Sequence, residues 1–316
     1  MPLGGGPRLG DGGRMGNVIA FVPATGGTGS TTLAAAVAVR AAAAGRSCVA
    51  VDLDRLSGRL DVVLGIEQDE GWRWPDLADV AGVVDGRRLV RMLPAARGAA
   101  ALTFGAADAV ADGLAPVGGA LGHGGALGPD GALGPGGALG PGGALAPGGA
   151  AYRLEDVEAW LERACDVVAG LREATDVVVL DCPRDERVLE ALADEIDVVV
   201  LTVGTDVAQV ASAAAAVPLV RQALDGVRLR PSSASPGPLV PPLEPWVVLR
   251  GGRVDEQLLD LLMDHLDVPV VGAVADDRHL RADLAAGCPP GARGRGSVVE
   301  MADRLLLRLV SQLDAA

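Results

Sequence analysis

The sequence contains no lysine; all 27 basic side chains are arginines. That excludes Schiff-base lysine chemistry, a lysine general base, and the lysine that usually contacts phosphates in a nucleotide-binding loop. Aromatic residues make up 2% of the chain, so the core has to be assembled from Val, Leu and Ala. Such a composition favours a Val-rich parallel sheet covered by Ala/Leu helices. Positive charge is also scarce. A net charge of −14 argues against direct nucleic-acid binding and against a polybasic membrane anchor. The four cysteines, Cys48, Cys165, Cys182 and Cys288, form no C-x-x-C spacing, which suits a reduced, cytoplasmic protein. His123, His265 and His279 do not cluster with them, which argues against zinc. The apolar runs are short or broken by charge, so no integral membrane segment is expected. The first 15 residues lack the apolar stretch of a secretory signal.

Three segments read as additions to a single domain over 17–313. They are a Gly-rich, disordered leader (1–16), a Gly/Pro-rich insertion (114–150) and a Pro/Ser-rich loop (231–245). The insertion repeats GALGPx with Gly at nearly every third position. Ala146 interrupts that register, and no triplet ends in Pro, which argues against a collagen-like helix. The rest alternates. Strands are expected at 17–23, 47–52, 99–104, 175–181, 197–203, 246–250 and 268–274. Helices are expected at 30–44, 152–171, 207–224, 254–266 and 297–313, with short helices between 58 and 97. This predicts an α/β fold: a doubly wound, mostly parallel sheet of seven or eight strands with helices on both faces. The Leu-rich helix at 297–313 carries Glu300 and Asp303 beside Arg304 and Arg308. It therefore reads as packed on the sheet rather than lying on a membrane.

The chemistry concentrates in Phe21–Leu33, FVPATGGTGSTTL, between a strand and a helix. Backbone N–H groups at such a helix start favour an anion, and Gly26, Gly27 and Gly29 let the chain curl around a phosphate. Thr31 or Thr32 is placed to offer a hydroxyl to Mg²⁺. The spacing is that of a P-loop with Ser30 at the lysine position. Asp52 and Asp54 follow the second strand, and Asp181 ends a Val-Val-Val-Leu strand. In an open α/β sheet these strand ends share one crevice with the first turn. Carboxylates and a hydroxyl beside a phosphate nest suit a Mg²⁺–nucleotide pair. A Gly-rich turn without ligand is the bland alternative. A dinucleotide site of the G-x-G-x-x-G type is the sharper one, but Thr32 stands where its third glycine belongs.

TGGTGSTT resembles the deviant P-loop of the MinD/ParA superfamily, whose pattern is KGGxGK followed by two Ser/Thr. VDLDR is similar to that superfamily's second-strand motif, and VVVLDCP to its strand ending in Asp-x-Pro. The stretch from Asp52 through RWPDL to Pro94 resembles the CpaE/TadZ-like branch, and within it the actinobacterial septum site-determining type. The resemblance implies a cytoplasmic, ATP- and Mg²⁺-binding spatial regulator of septum placement or Tad/Flp pilus assembly. Such a protein forms a nucleotide-dependent homodimer and is recruited to membrane sites through protein partners. It implies that Gly26, Gly27, Thr28, Gly29, Ser30, Thr31 and Thr32 hold phosphates. It further implies that Thr31, Asp52 and Asp181 surround Mg²⁺ directly or through water, and that Asp54 positions the attacking water.

Both family lysines are missing: Thr25 and Ser30 stand in their places. A unit charge near a phosphate is worth on the order of 2–4 kcal/mol. Its loss weakens binding by roughly 30- to 1000-fold and leaves transition-state charge unneutralised. Weak ATP affinity and weak or no hydrolysis are therefore expected. The alternatives are a scaffold that binds no nucleotide and a slow ATPase using arginine in place of lysine. Arg184, Arg55 and Arg59, which follow the Asp-bearing strands, are the candidates for that substitution.

Overall fold

The computed structural model describes residues 15–105, 157–228, 244–252 and 254–313. Residues 1–14 of the expected leader, the whole of the expected insertion 114–150 and residues 231–243 of the expected Pro/Ser-rich loop lie outside the described residues. Among the described residues eight strands form one sheet: β1 (Asn17–Pro23), β2 (Cys48–Asp52), β3 (Ala95–Ala96), β4 (Ala99–Leu102), β5 (Val177–Asp181), β6 (Val198–Gly204), β7 (Trp246–Gly251) and β8 (Val270–Ala275). Their spatial order is β3-β4-β2-β5-β1-β6-β7-β8. Every pairing is parallel except β3 with β4. The sheet is thus the expected one, with an antiparallel edge strand that two alanines gave no means of anticipating.

The α-helices are α1 (Ser30–Ala43), α2 (Leu60–Leu64), α3 (Gly86–Met92), α4 (Val157–Ala174), α5 (Glu186–Leu192), α6 (Val207–Arg228), α7 (Glu256–Leu266), α8 (Arg278–Ala285) and α9 (Ser297–Leu313). Alternation along β1 assigns them to faces. Val18, Ala20 and Val22 join a core made with side chains of α3 to α7. Ile19 and Phe21 point the other way, into a core made with α1, α2 and α9. The result is a three-layer α/β/α sandwich. With so few aromatics, α1 is packed almost entirely by Ala and Val, nine of its residues being buried.

α9 packs as the charge pattern implied. Val298, Val299, Met301, Ala302, Leu305 and Leu309 are buried, and Asp303 takes an ion pair from Arg40 at 2.7 Å. α5 has no counterpart in the expected elements. It is only seven residues long and is started by Asp185, whose carboxylate accepts from Arg187 N at 3.1 Å. The stretch Val207–Asp225 of α6 is long and apolar enough to cross a membrane by length and composition. Here it lies on the sheet through Ala213, Val217, Val220, Ala223 and Leu224, with Val207 and Leu219 exposed.

Candidate functional site

The strand order sets the site. β1 lies between β5 and β6, with β2 beyond β5 and β7 beyond β6, so the ends of five parallel strands surround the turn that follows β1. That turn is pinned at its base. Ala24 N donates to Thr202 O at 2.9 Å. The Thr28 hydroxyl, 2% exposed, donates to Thr25 O at 3.1 Å and shares a 2.8 Å hydrogen bond with the Thr202 hydroxyl. Gly27 and Gly29 adopt φ values of 79° and 78°, which a side-chain-bearing residue adopts only with strain. A Cβ placed at Gly26 or Gly27 would meet nothing within 4 Å, so the outer rim of the turn is open. Two buried hydroxyl oxygens in this turn, Thr25 Oγ1 and Ser30 Oγ, have no hydrogen-bond partner among the described residues. Unpaired buried hydroxyls are costly, and an anion-bearing ligand would give them partners.

Beside the turn, Asp52 and Asp181 occupy directly registered positions on β2 and β5. They are 1% and 4% exposed. Burial pushes the Asp181 carboxyl up to about 7, opposed by a hydrogen bond from Thr31 and reinforced by the Asp54 charge. Burial raises Asp52 as well, and the Asp181 charge adds to it. Asp52 is held by N–H donors from Asp54 at 3.0 Å and Leu60 at 3.2 Å. Its backbone carbonyl accepts the Trp74 indole N–H at 2.7 Å. Gly58 leaves room for it: a Cβ there would lie 2.5 Å and 2.6 Å from its two carboxylate oxygens.

Among the described residues no three His, Cys, Asp or Glu side chains converge on a metal-sized position. The oxygen donors that do come together are Asp52, Asp181 and the Thr31 hydroxyl. That set suits Mg²⁺, which keeps several waters and takes only one or two carboxylates alongside substrate phosphates. A cation there would also relieve two like charges forced into burial.

The remaining expected residues are placed as follows. Asp54 is half-buried and caps its own loop, its carboxylate accepting from Leu56 N, Ser57 N and the Ser57 hydroxyl. Arg55 stacks on the Trp160 ring, 5.3 Å from its centroid. Arg59 Nη1 donates to Gly58 O at 2.6 Å. Arg184 is exposed and lines a 440 Å³ groove between α5 and α6. The cavity at the glycine turn, about 510 Å³, runs from Gly27, Thr28 and Gly29 past Thr202, Gly204 and Gln209 to Arg250 and Asp276. None of the three expected arginines lines it. Arg250, at the end of an expected strand, and Arg281 do.

A ParA family ATPase of Chlorobium tepidum superposes with a TM-score of 0.61 at 14% identity, covering 92% of this chain and 98% of that one. The MinD cell division protein of Aquifex aeolicus gives 0.56 at 15% identity, covering 92% and 96%. The septum site-determining protein MinD of Pyrococcus horikoshii, complexed with Mg-ADP, gives 0.53 at 17% identity, covering 92% and 96%. The fold is that of the MinD/ParA P-loop ATPases.

At these identities the likeness to MinD and ParA is one of fold. No protein-family model matches the chain. Two uncharacterized proteins of Mycobacterium tuberculosis, one from each of two strains, are 38% identical over 93 residues. That stretch is 29% of this chain and spans 25% of the length of those relatives.

Proposed function

We propose that this chain binds ATP with Mg²⁺ on its MinD/ParA fold and acts as a spatial regulator with weak or no hydrolysis. The observation that carries the proposal is the juxtaposition of two features at the carboxyl ends of the central strands. One is an open glycine turn with orphaned hydroxyls at the start of α1. The other is a buried Asp52–Asp181 pair with Thr31 between turn and carboxylates. The first is a phosphate cradle. The second is a pair of carboxylates whose charge a divalent cation would offset.

In this reading the backbone of Gly26 to Thr32 cradles the β- and γ-phosphates. Thr31, Asp52 and Asp181 hold Mg²⁺ directly or through water, and Asp54 orients water for any hydrolysis. The ion supplies charge neutralisation at the phosphates when bound. Ser30 in place of lysine leaves developing charge on the transferred phosphoryl group uncompensated from the loop, so turnover is slow. Binding and release of nucleotide then serve to switch association, with a second copy or with proteins of septation or of Tad/Flp pilus assembly. The resemblance of the segment Asp52–Pro94 to the CpaE/TadZ branch supports that role. So do the names of the fold neighbours, which include a MinC:MinD cell division complex of Aquifex aeolicus.

The test is purified full-length chain with ATP·Mg²⁺, followed by light scattering for dimer formation and by phosphate release. The proposal expects ATP-dependent association with little phosphate released. A mass that stays the same with and without ATP counts against the switch. Turnover that Asp54→Ala abolishes would instead favour a working slow ATPase.

A further inference from the structure

The phosphate turn has no basic side chain of its own, yet a cation lies against it. Arg250 stands near the end of β7, registered with Gly204 on β6 and with Val274 on β8. β6 separates β7 from β1. Neighbouring strands are about 4.8 Å apart, so the Arg250 backbone lies roughly 10 Å from the line of β1. A long side chain can span that gap. The Arg250 side chain does so: a Cβ on Gly29 would lie 3.5 Å from its Nε and 3.9 Å from its Cδ. Gly29 is the N-cap of α1, where the helix presents its free N–H groups. In the same turn the Ser30 hydroxyl, on a residue 5% exposed, is without a partner among the described residues.

The guanidinium is held rather than loose. Nη2 pairs with Asp276 Oδ1 at 2.9 Å, Nη1 donates to Val274 O at 3.3 Å, and the side chain is 24% exposed. Nε, the atom nearest Gly29, donates to no group among the described residues. Arg250 and the turn line the same 510 Å³ cavity. A fixed cation with one spare donor beside a helix start is the arrangement that binds a phosphate oxygen.

We propose that Arg250 is the phosphate-binding cation of this site, supplied from β7 instead of from the loop. Its ligand is the polyphosphate of a nucleotide, so the inference rests on the nucleotide reading above. Asp276 orients the guanidinium and, by sharing its charge, tempers its pull on the phosphates. The loop could therefore lose its lysine without the site losing every positive charge.

The experiment is equilibrium titration of the full chain and its variants with ATP·Mg²⁺, each variant first melted without nucleotide to compare folding. Arg250→Gln is expected to weaken ATP at least tenfold, the scale of one charge near a phosphate. Arg250→Lys should recover part of the loss. Asp276→Asn should bind as tightly as the parent or more tightly, because it frees the guanidinium for the ligand. A merely structural ion pair would weaken binding equally whichever partner was removed. Equal losses in Arg250→Gln and Asp276→Asn, or unchanged affinity in Arg250→Gln, overturn the assignment while leaving nucleotide binding intact. A parent chain that binds no ATP overturns the nucleotide reading and this inference together. If Arg250→Gln melts too early to titrate, Arg250→Lys against Asp276→Asn carries the same contrast of sign.

Discussion

Asp52 and Asp181 are directly registered across the β2–β5 pairing, and both are buried. Two carboxylates so placed resist ionisation, and the sign of the consequence is fixed. A carboxyl whose folded value is raised binds its proton more tightly when folded. Its contribution to stability is complete below the unfolded value and is lost as pH rises through the folded one. For Asp181 the window runs from the ordinary carboxylate range to about 7. The metal-free chain should therefore melt at a lower temperature at pH 8 than at pH 5.5. Adding Mg²⁺ should restore stability at pH 8 and do little at pH 5.5. Thermal melts at both pH values, with and without Mg²⁺, check this, and Asp181→Asn should reduce both effects, leaving the part that burial of Asp52 contributes.

Gly58 is required by contact rather than by backbone angle. Its missing side chain leaves room for the Asp52 carboxylate and the Asp54 carbonyl. Gly58→Ala should destabilise the fold by about 1–3 kcal/mol, the scale of overpacking in a filled interior. Urea unfolding measures it, and the loss should be larger than for Gly45→Ala, where a Cβ meets nothing within 4 Å and only the backbone angle resists.

How much of this was legible beforehand depends on how local each signal is. The glycine turn, the strand-terminal aspartates and the helix periodicity lie in short contiguous stretches, so the sheet and the Thr31–Asp52–Asp181 grouping could be read from them. The importance of Arg250 could not. Its place beside Gly29 exists only because β6 and β7 are laid next to β1, a long-range choice that no local pattern states. Arg55 followed an Asp-bearing strand as the spacing suggested, but an aromatic side chain from a helix much farther along the chain holds it. β3 is two residues long and exists only as a partner for β4.

Trp74 ties the second strand to an aromatic cluster. Its indole N–H donates to the Asp52 carbonyl, and its ring lies 5.7 Å from Trp160 and 6.0 Å from Phe104. Trp74→Phe keeps the ring but leaves that buried carbonyl without its donor, so a loss of about 1–3 kcal/mol is expected. In the unmutated chain, tryptophan fluorescence should respond to Mg²⁺, and the response should be much reduced in Trp74→Phe.

Ser30→Lys places a charge at the position where the P-loop pattern this turn resembles has its lysine. Because Ser30 heads α1 beside the open glycine rim, ATP affinity should rise by roughly tenfold or more. Phosphate release should rise with it only if Asp54 can leave its present partners, Leu56 N and Ser57. Isothermal titration and a phosphate assay on the same preparation separate the two effects.

The central claim is that a nucleotide site survives without its lysines. The most direct measurement is equilibrium binding of ATP·Mg²⁺ to the unmodified full-length chain at pH 8. The account predicts saturable, one-to-one binding with a dissociation constant between about 1 µM and 1 mM, corresponding to roughly 4–8 kcal/mol. No saturable binding up to several times the upper limit of that range would contradict it and leave a scaffold that kept the fold but not the ligand.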